Sequence, residues 1–255
     1  MKKLLITFLL LLPLTTNAGL GDGLVRWFPM DNRDGSTANS IKDRITGLTL
    51  VKSGTPSIDN GIFGQSIKTD TNNWYTSYPT NVTAPSNFTI STWIYASTTI
   101  ITNSDIWAYR STSCGAKLPI VMYVGIGNDM YFQIENTANQ FKQIVVNNSG
   151  LTLNKWHLLS ASYDGTNMAL YLNGVVIGTT TSTIVIDQTA VPFYIGNSAC
   201  TDQSWRGWMD DLRIYNRALT YAEQVDLYRQ GISNRNVKVR GTWQASIMSF
   251  LSSIF

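Results

Sequence analysis

Residues 192–231 read PFYIGNSACTDQSWRGWMDDLRIYNRALTYAEQVDLYRQG, and this stretch decides the fold. Phe193, Tyr194 and Ile195 form a short β-prone run closed by Gly196-Asn197, residues that favour turns because both tolerate positive φ. From Trp208 to Tyr215, the residues Trp208, Leu212 and Ile214 share one parity and Asp211 and Arg213 the other, which predicts a half-buried strand. Asp210 falls on the inward parity with Leu212. A carboxylate there needs a partner, because burying an unpaired charge costs on the order of several kcal/mol. Thr220 followed by Glu223 is a capping box, and Val225, Leu227 and Tyr228 ahead of Gly231 predict a short helix with a glycine stop.

Working outward, strand candidates recur with turn signals between them. They are Leu24–Phe28, Leu48–Val51, Phe63–Lys68, Phe88–Tyr95, Ile120–Val124, Met130–Ile134 and Phe141–Val146. Phe88–Tyr95 carries apolar groups on both parities, so it belongs at the centre of a sheet. Trp156–Tyr163 ends at Asp164-Gly165, and Met168–Leu172 runs through Asn173-Gly174 into Val175–Gly178, a strong hairpin signal. Many strands and few helical patterns predict an all-β fold of two packed antiparallel sheets.

The order Y-I-G-N, a loop, then W-x-G-x-M-D-D-L-R-I-Y-N-R-A-L-T resembles the C-terminal signature of laminin-G-like, concanavalin A-type jelly-roll domains. The middle, W-H-L-L-S-A-S-Y-D-G followed by L-Y-L-N-G, is similar to the same family, so the resemblance runs from about Leu24 to Gly231. It implies a two-sheet jelly roll with one short helix near its C-terminal end. Relatives often hold a structural Ca²⁺, and the matching positions here are Asp210, the neighbourhood of Asp31, and Gly64. Calcium accepts carbonyl oxygens, so few carboxylates suffice, and it would give Asp210 a partner. An arginine or backbone amides would do so equally. Carbohydrate-binding members of the fold make glycan a natural ligand.

The fold also carries glycosidases, whose two catalytic glutamates stand at E-x-D-x-E or E-x-D-x-x-E on one strand. This chain has only Glu135 and Glu223, and the capping box accounts for Glu223. The one histidine, His157, has no second histidine or nearby cysteine to complete a nucleophile–base pair. No G-x-S-x-G, H-E-x-x-H or glycine-rich phosphate loop occurs.

Residues 1–18 pair two lysines with a short apolar run and end in Thr-Asn-Ala, which predicts a secretory leader cleaved after Ala18. The run is far shorter than the roughly 20 residues of a spanning helix, so the mature chain has no predicted membrane segment. Losing Lys2 and Lys3 lowers the formal charge from +3 to +1, which leaves no case for nucleic-acid binding. The remaining residues divide into a jelly-roll domain, 19–231, and an extension, 232–255. Charged residues make up 14% against a typical figure of about 25%, which suits a secreted, periplasmic or cell-surface β-protein. In that setting Cys114 and Cys200 are expected to pair, stabilising the fold by about 4 kcal/mol.

Two further features bear on partners. Trp74, Tyr75 and Tyr78 lie among polar residues, and Trp205 follows Asp202 and Gln203 in another polar stretch. Rings in loops beside amides and carboxylates suit sugars, so these six residues are the predicted ligand site, although such rings can also cap a sandwich. In the extension, Ile247, Phe250, Leu251 and Ile254 form an amphipathic stripe that packs on the domain or docks an assembly partner or second copy. The leading expectation is a non-catalytic module binding glycan or glycoprotein. A structural or adhesive subunit and a glycosidase or lyase with an unfamiliar acid pair are the alternatives.

Overall fold

A computed structural model of the chain describes residues 19–70, 73–98, 100, 103–113, 116–197 and 203–234. The expected leader, Cys114, Cys200, Asp202 and the C-terminal stripe lie outside the described residues. Sixteen strands follow in chain order: β1 (Leu24–Phe28), β2 (Ser40–Lys42), β3 (Thr49–Ser53), β4 (Ser57–Asn60), β5 (Gln65–Thr69), β6 (Trp74–Thr76), β7 (Phe88–Ala96) and β8 (Ser104–Tyr109) form the first half. The second half comprises β9 (Ile120–Val124), β10 (Met130–Glu135), β11 (Phe141–Val146), β12 (Trp156–Tyr163), β13 (Asn167–Leu172), β14 (Val175–Thr181), β15 (Phe193–Ile195) and β16 (Gly207–Tyr215). Among the described residues one α-helix, α1, spans 221–234.

Sheet A runs β14-β13-β12-β7-β16-β5-β4 with β1 also on β16, and sheet B runs β11-β10-β9-β8-β15-β6-β3-β2. Every named strand pair is antiparallel. The two-sheet sandwich predicted from the strand pattern is therefore the observed fold. β7 is central, as its apolar groups on both parities require, between β12 and β16. Its inward residues Phe88, Ile90 and Ile94 join Phe132, Met122 and Phe193 of sheet B in one buried core. The Asn173-Gly174 hairpin forms as expected, with φ of 56° and 77°.

β16 departs from simple alternation. Its first part, Gly207–Met209, pairs with β5, and its last part, Leu212–Tyr215, pairs with β1, while all of it borders β7 across a register break after Asp210. Asp211 takes φ 50° at that break. The extra residue inverts the parity, as a bulge must. Met209, Leu212 and Ile214 thus face the core, and the prediction that Trp208 and Asp210 share the inward side with Leu212 is corrected.

The helix also differs from expectation. Thr220 N–H donates to Glu223 at 2.8 Å and Glu223 N–H to Thr220 Oγ1 at 3.3 Å, so the capping box is formed. α1 then continues through Gly231 to residue 234. Gly231 is there for closeness, because a Cβ at this position would lie 2.1 Å from Trp93 Cζ2. With Trp93, Ile62, Leu158 and Tyr215, Leu227 makes a second, smaller cluster on the outer side of sheet A.

Candidate functional site

The outer side of sheet B collects the polar and aromatic groups that point away from the core. The registers set Thr76, Tyr194, Ala108, Val121, Gln133 and Gln143 in one row across six strands. A neighbouring row holds Asp105, Tyr123, Tyr131 and Val145. Their chain neighbours Tyr75, Ile195, Trp107, Met122, Phe132 and Ile144 all lie in the core, so alternation places both rows outward.

Tyr123 and Tyr131 stack face to face with centroids 4.5 Å apart and planes 4° apart, so the ledge they form consists of the ring edges and one outer face of each ring. Gly125 makes room for it, since a Cβ there would lie 2.7 Å from the Tyr131 ring. Gln143 Nε2 donates to Tyr123 Oη at 2.8 Å and to Gln133 Oε1 at 3.4 Å, which fixes both amides beside the ledge. Burial raises the Tyr123 hydroxyl pKa, so the group stays protonated and can both donate and accept. Asn103, Asp105, Arg110, Tyr123, Gln133 and Gln203 are among the residues around a cleft of about 210 Å³.

The loop carrying Gln203 is pinned from below. Trp205 is fully buried, its N–H donates to Gly196 O at 2.9 Å, and its carbonyl accepts from Thr69 Oγ1 at 3.1 Å. Asp105 N–H donates to Gln203 O at 2.8 Å, and Arg110 Nη1 donates to Gln203 Oε1 at 3.4 Å. A buried indole therefore anchors the residue that faces the cleft. This corrects the expectation of Trp205 as an exposed platform: the core claims it because the chain turns inward after Gln203.

The other predicted ligand residues separate. Trp74 and Tyr75 lie in β6, a strand of three residues between β3 and β15. Alternation sends Tyr75 inward, where it is fully buried with its hydroxyl on Ala38 O at 3.2 Å, and leaves Trp74 partly exposed on the outward parity of Thr76. Tyr75 is thus core and not a ligand platform. Tyr78 is exposed. Tyr123, Tyr131, Gln133 and Gln143 alternate with buried neighbours, which the sequence shows; what the sequence lacks is the register that joins them.

Of the predicted calcium residues, Asp210 and Asp31 each touch the Phe63–Gly64 segment. Phe63 N–H donates to Asp210 Oδ2 at 2.8 Å, and a Cβ on the neighbouring Gly64, at φ 86°, would lie 2.1 Å from Asp31 Oδ2. Asp31 meets Arg33 Nη2 at 2.7 Å. Asp210 is fully buried and, among the described residues, its Oδ1 has no hydrogen-bond partner. Burial first and the Asp211 carboxylate second push the Asp210 pKa well above the usual carboxylate range. An enclosed oxygen without a donor is what a hard cation would explain. Among the described residues, however, no three His, Cys, Asp or Glu side chains group around one point.

His157 is clamped between Thr152 Oγ1 at 3.0 Å and Asn173 Nδ2 at 3.1 Å, and burial lowers its pKa. It supports the hairpin. Glu135 sits at the far end of the sheet B face, accepts from Leu118 N–H at 3.4 Å, and has its pKa raised by burial.

A two-sheet jelly roll with a partly exposed polar and aromatic face is the architecture of lectin-like domains. The chain belongs to the concanavalin A-like lectin/glucanases superfamily, whose family model matches residues 69–224. An alpha-L-arabinofuranosidase of Bifidobacterium longum subsp. longum is 29% identical over 122 residues, which cover 42% of this chain and 12% of that enzyme. The chain therefore spans a small part of that relative's length. Among solved structures, domain 4 of an extracellular arabinanase from Geobacillus stearothermophilus, in complex with arabinotriose, superposes with a TM-score of 0.62 at 17% identity, over 80% of this chain and 98% of that one. The binding domain of Paraclostridial Mosquitocidal Protein 1 gives a TM-score of 0.60 at 17% identity, over 81% and 52%. The botulinum neurotoxin serotype G binding domain gives 0.61 at 17% identity, over 80% and 50%.

Proposed function

We propose that this chain is a non-catalytic saccharide-binding domain whose ligand lies on the outer face of sheet B. The observation that carries the reading is the Tyr123–Tyr131 ledge with Gln133, Gln143 and Asp105 beside it. Sugar rings stack their C–H faces on such a ledge and direct hydroxyls to amides and carboxylates. The arabinanase domain solved with arabinotriose shares the fold, which makes arabinotriose a reasonable first probe. Calorimetry with arabinotriose and a wider oligosaccharide panel is expected to give saturable binding that Tyr131→Ala weakens. Equal affinity in wild type and Tyr131→Ala would overturn the placement, and no binding across the panel would overturn the reading.

Binding without cleavage is supported by the wide spacing of Asp105 and Glu135, while Asp187, which lies beside Glu135, is tied up by Lys117 at 3.0 Å. Asp105 and Glu135 are two strands apart, and Tyr131, in the Asp105 row, lies four residues before Glu135. Strand geometry then separates the two by about 16 Å. A glycosidase pair needs about 5 to 9.5 Å. Polysaccharide hydrolysis lost on Asp105→Asn would refute the non-catalytic reading.

Export with removal of residues 1–18, pairing of Cys114 with Cys200, and a structural calcium at Asp210 are part of the same proposal. Calcium is supported by the enclosed Asp210 Oδ1. A chelator should lower the melting temperature if the ion is bound, since a ligand favouring the native state raises it. N-terminal sequencing and thiol labelling of denatured, unreduced protein check the other two.

A further inference from the structure

The outer side of sheet A is only partly covered by α1, which lies over Trp93, Leu158 and Tyr215. Beyond it, Trp156, Tyr95, Trp208 and Lys68 stand opposite one another on β12, β7, β16 and β5. They form one row across four adjacent strands, about 14 Å long at the usual strand spacing. All four are partly exposed. The Tyr95 ring centre is 5.6 Å from that of Trp156 and 5.2 Å from that of Trp208, and Lys68 Nζ lies 5.0 Å from the Trp208 centroid. The exposed Asp59 and Asn60 of β4 complete the lining of a cleft of about 170 Å³ with these rings.

The sheet A–sheet B core does not account for this row, because none of its rings belongs to that cluster; Trp156 packs at the edge of the smaller cluster beneath α1, and Tyr95 and Trp208 belong to neither. The polar fringe indicates the occupant. One ammonium and one carboxylate balance each other, which favours neither a polyanion nor a polycation, and an amide supplies a donor and an acceptor. The lining holds no aliphatic side chain of the kind an amphipathic helix would seek. Rings inclined at 58° and 88° to one another line a notch rather than a platform, and with balanced hydrogen-bonding groups at its border that notch suits a short neutral saccharide.

We propose that the Trp156–Tyr95–Trp208 row is a second saccharide site, on the sheet opposite the first. The domain then presents two binding surfaces facing apart and can join two glycan strands, so that affinity for a polymer exceeds affinity for either oligomer. This site does not require the sheet B site to be correct.

The test is a titration of the full chain, with ¹⁵N-labelled tryptophan indoles, by arabinotriose, xylotriose and cellotriose, the signals assigned with Trp156→Phe and Trp208→Phe. The Trp156 and Trp208 signals are expected to move and saturate with at least one of these sugars, and to do so equally in Tyr131→Ala. Asp59→Ala, at an exposed edge position, should weaken that response at least tenfold while leaving the Tyr131-dependent affinity unchanged. Indole signals that stay still with all three sugars, or that move only when Tyr131 is intact, overturn the second site. Saturation at the row with no Tyr131-dependent binding overturns the sheet B proposal and leaves this one standing.

Discussion

On the outer side of sheet A, Trp93, Leu158 and Tyr215 lie beneath α1, whereas on the outer side of sheet B Tyr123, Tyr131 and Gln133 keep part of their surface in solvent. Both sides arise from the same strand alternation, with the core taking every second residue. Their difference comes from what the chain does next. After β16 it folds α1 back on sheet A, held by the Arg217–Glu223 pair at 2.6 Å and the capping box. Among the described residues no helix covers sheet B. A covered face needs close fit, as at Gly231 against Trp93, while an open face can hold groups whose best partner is a ligand.

The sharpest way to break the covered side is Gly231→Ala. The new Cβ meets the Trp93 ring, which also stacks on Tyr228 at 5.7 Å, so α1 must shift. A loss of about 3 kcal/mol is expected in urea unfolding, the upper end for overpacking. The same change should leave the cleft beside Tyr123 intact, and a comparable loss of glycan affinity would show that the two sides are coupled.

The helix cap gives a pH-dependent version of the same test. Hydrogen bonds from Arg217, then those from Thr220, hold the Glu223 pKa at about 2. A lowered folded pKa stabilises the protein above the unfolded value and loses that contribution as pH falls from about 4.5 towards 2. The stability gap between wild type and Glu223→Gln should therefore be about 2 kcal/mol at pH 6, allowing for partial exposure of Arg217, and close by pH 2. A gap independent of pH would mean that the charge contributes nothing.

On the open side the expected effects move from stability to binding. Tyr131→Ala should cost about tenfold in saccharide affinity, equivalent to about 1.4 kcal/mol, with a melting temperature nearly unchanged. A large drop in melting temperature would class the ledge with the buried rings instead. The smallest effect belongs to Asp210→Asn, which keeps an acceptor for Phe63 N–H and removes a buried carboxylate. In chelator, its stability should match or exceed wild type by less than about 1 kcal/mol, because replacing a buried ionisable group by a neutral isostere removes its desolvation cost. Added calcium should then raise the melting temperature of wild type alone.

Much of the fold could be read along the chain because strands, turns and caps are local. Phe88–Tyr95 as a central strand, the Asn173-Gly174 hairpin and the Thr220–Glu223 box each depend on residues close in sequence. The misreadings occur where a distant contact decides. The short strand β6 exists through β3 and β15, so Tyr75 became core and Trp74 did not. Gly231 has the sequence position of a helix stop, yet the ring it accommodates is Trp93 on β7.

The sequence by itself determined the class of fold, the order of its principal strands, the capped helix, and the absence of a paired-glutamate strand, because periodicity and spacing are properties of the chain. Tertiary structure decided which face each ring occupies. The bulge at Asp210–Asp211 arises because β16 passes from pairing with β5 to pairing with β1, and a one-residue slip reverses every side chain beyond it. It likewise took the register of β8, β9 and β10 and the return of the Gln203 loop to bring Asp105, Tyr123, Gln133 and Gln203 around one cleft, since a site made of residues remote in sequence has no spacing to read.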